Sequence, residues 1–127
     1  MPVISDLEQK LILTHVDFLY SKGYKLISQD AHGFIFTNWK IQFAVFYERR
    51  QEASDITIKF IEENESFSVG WLSRIIDKNK NVDVQQKLEN ILYLLDFVEK
   101  NYQKIIDIFF CRKAMQEAEI QFRRYSE

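Results

Sequence analysis

Ile41-Gln42-Phe43-Ala44-Val45-Phe46-Tyr47-Glu48, then Asp55-Ile56-Thr57-Ile58-Lys59-Phe60, then Phe67-Ser68-Val69-Gly70-Trp71-Leu72 alternate apolar and polar side chains. Neighbouring side chains of a strand point to opposite faces. Ile41, Phe43, Val45 and Tyr47 therefore share one face, as do Ile56, Ile58 and Phe60, and then Phe67, Val69 and Trp71. A period of two held through consecutive segments predicts an antiparallel sheet with one buried face. The connections are Arg49-Arg50-Gln51-Glu52-Ala53-Ser54 and the acidic turn Glu62-Glu63-Asn64-Glu65.

Upstream, strands are expected near Tyr24–Gln29 and Phe34–Asn38, joined through Asp30-Ala31-His32-Gly33 as a hairpin. With Ile41–Glu48, Asp55–Glu62 and Ser66–Leu72 they make a five-stranded meander, because short connections favour sequential antiparallel neighbours. Ahead of them, Ser5 and Glu8 form a capping-box pattern. Leu7, Leu11, Thr14 and Phe18, with Ile12 and Leu19 beside them, suit the inward stripe of a first helix. Gly23 fits the left-handed position just past its end.

After Trp71 the period changes. Ser73–Lys78 suits a short helix, and Asn79-Lys80-Asn81 is a polar break. From there Val84, Leu88, Ile91, Leu95, Val98, Tyr102, Ile105 and Phe109 recur in steps of four and three, with Leu92, Ile106 and Phe110 widening the stripe. A coiled coil and a long helix across a sheet share this pattern. The second reading is favoured, since an apolar five-stranded face needs cover. Arg112–Glu127 is weakly amphipathic through Ala114, Ala118 and Phe122, and suits an extension, a fold-back or a frayed end. The expected fold is one α+β domain over residues 1–127: an N-terminal helix, a five-stranded antiparallel meander, and a long C-terminal helix or helix pair packed on one sheet face.

Eleven Phe, six Tyr and two Trp in 127 residues supply ample apolar surface for a core. Through Glu65 the chain carries seven basic and ten acidic residues (−3). After it come ten and nine (+1), giving the net −2. That balance lacks the clustered basic excess of a nucleic-acid binder. The opening Met1-Pro2-Val3-Ile4-Ser5-Asp6 has no basic region followed by an apolar run, and no apolar stretch reaches membrane-spanning length. A cytoplasmic protein with no membrane partner is the expectation. Cys111 is the single cysteine, so neither an internal disulfide nor a cysteine cluster for zinc can form.

Candidate chemistry is sparse. His15 lies on the first helix and His32 in a hairpin loop, neither at metal-ligand spacing from a partner. Arg112 and Lys113 next to Cys111 suit a lowered thiol pKa, yet no motif supplies a base, and a lone cysteine is commonly a small core residue. Glu62, Glu63 and Glu65 crowd one turn without the spacing or glycine of a calcium loop. Gly23, Gly33 and Gly70 are too scattered to cradle phosphate. The expectation is a protein without catalytic residues, cofactor or metal.

The segment Ile41–Arg50, the strand Asp55–Phe60, the acidic turn Glu62–Glu65 and Phe67-Ser68-Val69-Gly70-Trp71-Leu72 resemble small bacterial proteins found among the immunity proteins of polymorphic, contact-delivered toxin systems. The likeness covers the central meander, about a third of the chain, and carries over no binding residue. It implies a non-catalytic inhibitor that neutralises a cognate toxin by direct binding. The alternative is a housekeeping or phage-derived interaction protein acting as a homodimer.

For an inhibitor, three regions are candidate contact surfaces. One is the loop Glu48, Arg49, Arg50, Glu52 with Asp55. A second is the turn Glu62, Glu63, Glu65. The third is the sheet face between them, where Phe46 and Ile61 are expected side by side with Lys59 among charges, the usual anatomy of an interface hot spot.

Overall fold

The computed structural model describes residues 6–30, 33–48, 53–76 and 87–126. Two short helices, α1 (Asp6–Thr14) and α2 (Asp17–Ser21), precede five strands: β1 (Lys25–Asp30), β2 (Gly33–Thr37), β3 (Ile41–Glu48), β4 (Ala53–Phe60) and β5 (Glu65–Ser68). Four helices follow: α3 (Val69–Ile76), α4 (Lys87–Lys100), α5 (Tyr102–Ile105) and α6 (Ile108–Ser126). The strands lie in sequence order, every neighbouring pair antiparallel. The α+β meander with a leading helical segment and C-terminal helices is the expected fold class.

Registry explains the buried face. Phe34 pairs with Val45 and Phe36 with Phe43; Phe43 pairs with Ile58, Val45 with Ile56, and Ile58 with Phe67. All of these are buried and form one core with Ile12, Leu19, Leu72, Ile91 and Leu95 from the helices. The period-two assignment for β3 and β4 therefore holds. Each such apolar side chain contributes about 1.5–3 kcal/mol on leaving water. At the hairpin end of β2, a Cβ on Gly33 would lie 2.0 Å from the Val45 carbonyl oxygen, so only glycine lets the strands close there. At the outer edge of the sheet the β1–β2 register shifts between Leu26 and Ser28, leaving Ile27 as a bulge.

Four expectations are corrected. The fifth strand does not run to Leu72: it ends at Ser68, and Val69 opens α3. Val69, Leu72, Ser73 and Ile76 stand at helical i, i+3, i+4, i+7 spacing, with the first three buried, whereas Trp71 is exposed. The short helix placed at Ser73–Lys78 is thus α3, begun four residues earlier.

The long C-terminal helix is three helices. Asn101 ends α4, with its amide donating to the Phe97 carbonyl at 2.9 Å. Asp107 then restarts the chain as a cap, its Oδ1 accepting the Phe109 amide at 3.0 Å. That break resets the helical phase, so Phe109 leaves the inward stripe and stands 73% exposed. Residues after Arg112 continue α6.

The N-terminal stripe is also shifted. Ile12, Val16 and Leu19 are buried while Leu7, Leu11 and Thr14 face solvent. Tight bonds from His15 N to Ile12 O and from Leu19 N to Val16 O turn the chain between α1 and α2, and the phase changes there. Ser5 of the expected capping box lies outside the described residues, as do Asn79–Asn81 and Val84. Gly23, at φ +88°, closes α2 as expected. Its amide reaches Tyr20 O and the Tyr24 amide reaches Leu19 O, the paired bonds of a Schellman motif.

The last correction concerns the outer sheet face. Gln42, Ala44, Phe46, Thr57 and Lys59 are half-buried. Phe46 lies opposite Asp55, whereas Ile61 follows Phe60, which lies opposite Ile41. Five residues of strand, about 17 Å, separate the two ends, so Phe46 and Ile61 are not neighbours.

Candidate protein-contact rim

The connection from β2 to β3 is a rigid turn. Thr37 Oγ1 donates to Ile41 O at 3.2 Å and accepts the Trp39 amide at 3.0 Å. Asn38 Oδ1 accepts the amides of Lys40 and Ile41 at 3.0 and 2.8 Å, and the Asn38 amide returns to Ile41 O at 3.2 Å. These bonds hold Trp39 at φ +73°, a left-handed conformation unusual for a bulky residue, with its side chain 68% exposed. Such backbone strain is worth of order 1 kcal/mol and persists where surrounding bonds over-determine it.

The turn between β4 and β5 stands beside it. The Ile61 amide donates to Lys40 O at 3.0 Å, which joins the two turns at one end of the sheet. Ile61 is partly exposed, and Glu62 and Glu63 are exposed. Asn64 takes the left-handed position at φ +53°, with its amide on Ile61 O. Glu65 then begins β5 and is gripped by α6. Arg112 Nε donates to Oε2 at 3.1 Å and Arg112 Nη2 to Oε1. This fork holds the Glu65 carboxyl below its usual value and keeps Arg112 protonated, with Glu63 adding to the latter effect. The same guanidinium lies 5.5 Å from the centre of the Phe109 ring. Trp39, Ile61, Glu62 and Glu63 thus lie on two joined turns at one end of the sheet, the rim to which the Glu65–Arg112 pair and the Phe109 ring also belong.

Asp55 has a different task. Its Oδ2 accepts the Ser68 hydroxyl at 2.5 Å and its Oδ1 accepts the Gly70 amide at 3.0 Å, so it caps α3 from the neighbouring strand. Ser68 Oγ in turn accepts the Trp71 amide at 3.2 Å. Lys59 lies on the outer face opposite Gln42 and Ser66. Glu48 pairs with Ala53 at the end of β3, with its side chain outside the described residues, as are Arg49, Arg50 and Glu52. Of the sequence candidates, the structure brings together Ile61, Glu62, Glu63 and Glu65, and sets Phe46 and Asp55 at the opposite end.

Trp39, Phe109 and Arg112 were not among those candidates. A signal for Trp39 is present: it belongs to the alternation of neither flanking strand, and Asn38 before it is a turn former. Phe109 carries no such signal until the helix break is known.

Two further candidate groups are engaged structurally. The Cys111 thiol is buried and donates to Ile105 O at 3.2 Å; burial, with Asp107 nearby, pushes its pKa up to about 12. Arg112 and Lys113 do not lower it, and Cys111 is the small core residue that the sequence reading favoured. His15 Nδ1 donates to Leu11 O at 2.9 Å from an exposed position. His32 lies outside the described residues. Among the described residues no cluster of three His, Cys, Asp or Glu could hold a metal, and no helix is long and apolar enough to cross a membrane. No family model, curated protein or solved structure matches the chain.

Proposed function

We propose that this chain is a non-catalytic protein-binding inhibitor: an immunity protein that neutralises a cognate toxin through the rim described above. The observation that carries the reading is Trp39. An indole largely in solvent adds little to the core, and its left-handed backbone costs stability. Contact with another molecule is what such a side chain offers. Trp and Arg with partly exposed apolar neighbours are also the residue types enriched at interface hot spots. The likeness of the meander to immunity proteins supplies the class of partner.

The test is whether a toxin reading frame neighbours the coding sequence and, where one does, co-expression of the full chain with that toxin domain followed by titration calorimetry of the purified pair. Restored growth and one-to-one binding are expected. Self-association of the chain with no toxin binding would instead favour the homodimeric scaffold.

A further inference from the structure

We infer that the outer face of the sheet is a docking surface for a second copy of this chain, stacked face to face about a two-fold axis. Every buried apolar side chain of the described helices belongs to the one core on the inner face. Ile35 and Phe46 alternate with the core residues of β2 and β3, so they point the other way. Both are half-buried and take no part in that core. A sheet packed on one side, with apolar side chains on the other, has room for a second layer.

The register says which layer fits. Ser28, Ile35, Ala44, Thr57 and Ser68 are successive cross-strand partners, a single row over all five strands. None of the five carries a charge. The flanking row on one side runs Lys25, Thr37, Gln42, Lys59, and that on the other runs Asp30, Gly33, Phe46, Asp55. One flank is thus basic at β1 and β4, and the other is acidic at the same two strands. A two-fold axis along the uncharged row sets each of its members against itself and exchanges the flanks. Lys25 then lies over Asp30 of the second copy, and Lys59 over Asp55. On these three rows no like charges meet, and opposite charges meet four times. Within one copy Lys59 and Asp55 are about 13 Å apart along β4, too far to pair. Among the described residues the ion pairs are Lys100–Asp96 and Arg112–Glu65, so neither Lys59 nor Asp55 is already matched. The Trp39 and Glu62 turns stay at the end of the sheet, clear of this face. The inference therefore stands apart from the inhibitor reading, and a dimer still offers one toxin site per chain. With apolar contact limited to Ile35, Ala44 and Phe46, association in the micromolar range is expected.

The experiment is sedimentation velocity of the full chain over a concentration series, at low and at high salt. A monomer–dimer equilibrium that weakens with salt is expected. Thr57 meets its own copy at the axis, so Thr57→Glu and Thr57→Lys should each weaken dimerisation about tenfold or more, while their equimolar mixture associates more tightly than either alone. Thermal melts check that both variants fold. Lys59→Gln is the second probe, expected to dimerise more weakly and with less response to salt. A wild type that stays monomeric throughout the series overturns the inference. So does unchanged dimerisation of either Thr57 variant, a mixture no tighter than its parts, or a Lys59→Gln variant with wild-type affinity and salt response. Should the Thr57 variants fail to fold, the Lys59→Gln comparison decides alone. None of these measurements involves a toxin, so failure of the inhibitor reading leaves the result standing.

Discussion

Asp55 accepts the hydroxyl proton of Ser68 across the β4–β5 pair, and with its second oxygen it takes the amide of Gly70. The contact marks where the fifth strand turns into a helix. Ser68 is the last strand residue and also the cap of the helix, since its hydroxyl oxygen receives the Trp71 amide.

Replacing Asp55 with Ala is expected to cost about 1 kcal/mol of stability, the usual worth of a helix cap. Urea denaturation measures the loss. Hydrogen exchange should show the Gly70 and Trp71 amides opening faster while those of β3 keep their relative protection.

Glu65 provides a pH test. Its folded pKa lies below the usual 4.5 because Arg112 hydrogen-bonds the carboxylate. The stabilisation is therefore complete above the unfolded value and is lost as pH falls through the lowered folded one. Thermal melts of wild type and Glu65→Gln should differ at neutral pH and converge in acid. A difference that persists at low pH would mean that Arg112 gains as much from the amide.

Cys111 is expected to resist thiol reagents in the native protein at pH 8 and to react on unfolding. Its folded pKa is raised from 9 to about 12, so its contribution to stability is full below pH 9 and falls as pH rises toward 12. Cys111→Ala should lose that portion of the alkaline slope. Rapid labelling of the folded chain would contradict the burial.

The same elements explain what could be read from the sequence. Alternation gave β3 and β4 correctly because their inward residues, from Phe43 to Phe60, all reach one core. It failed at Val69, whose position satisfies both periods: two residues after Phe67, and three before Leu72. Only the Asp55 cap, distant in sequence, decides between them. The C-terminal helix failed for a related reason. An unbroken pattern of apolar steps concealed the break at Asn101, and with it the exposure of Phe109. Of the candidate surface, the acidic turn was legible from its charges. Trp39 was legible only as a residue outside both strand patterns, whereas its exposure and left-handed backbone were not.

Trp39→Gly and Trp39→Val separate ring from backbone. Glycine relieves about 1 kcal/mol of left-handed strain but adds a similar unfolded-state entropy, so stability should change by less than about 0.5 kcal/mol. Valine, branched at Cβ, should lose about 1 kcal/mol or more at this φ. Urea midpoints decide; a large loss for glycine would show that the indole packs.

Gly33→Ala is expected to destabilise by about 2 kcal/mol or more, since the added Cβ meets backbone that can move only by parting β2 from β3. Chemical denaturation checks this, and near wild-type stability would mean the pair separates there at little cost.

The bulge at Ile27 sets the terms on which a further strand can join the β1 edge of the sheet. A strand laid along the outer edge would find the regular spacing of amides and carbonyls interrupted between Leu26 and Ser28, and could not zip on in register. Recognition by main-chain pairing is discouraged on that side. A partner of the kind proposed above would therefore be met on this edge by side chains rather than by an added strand.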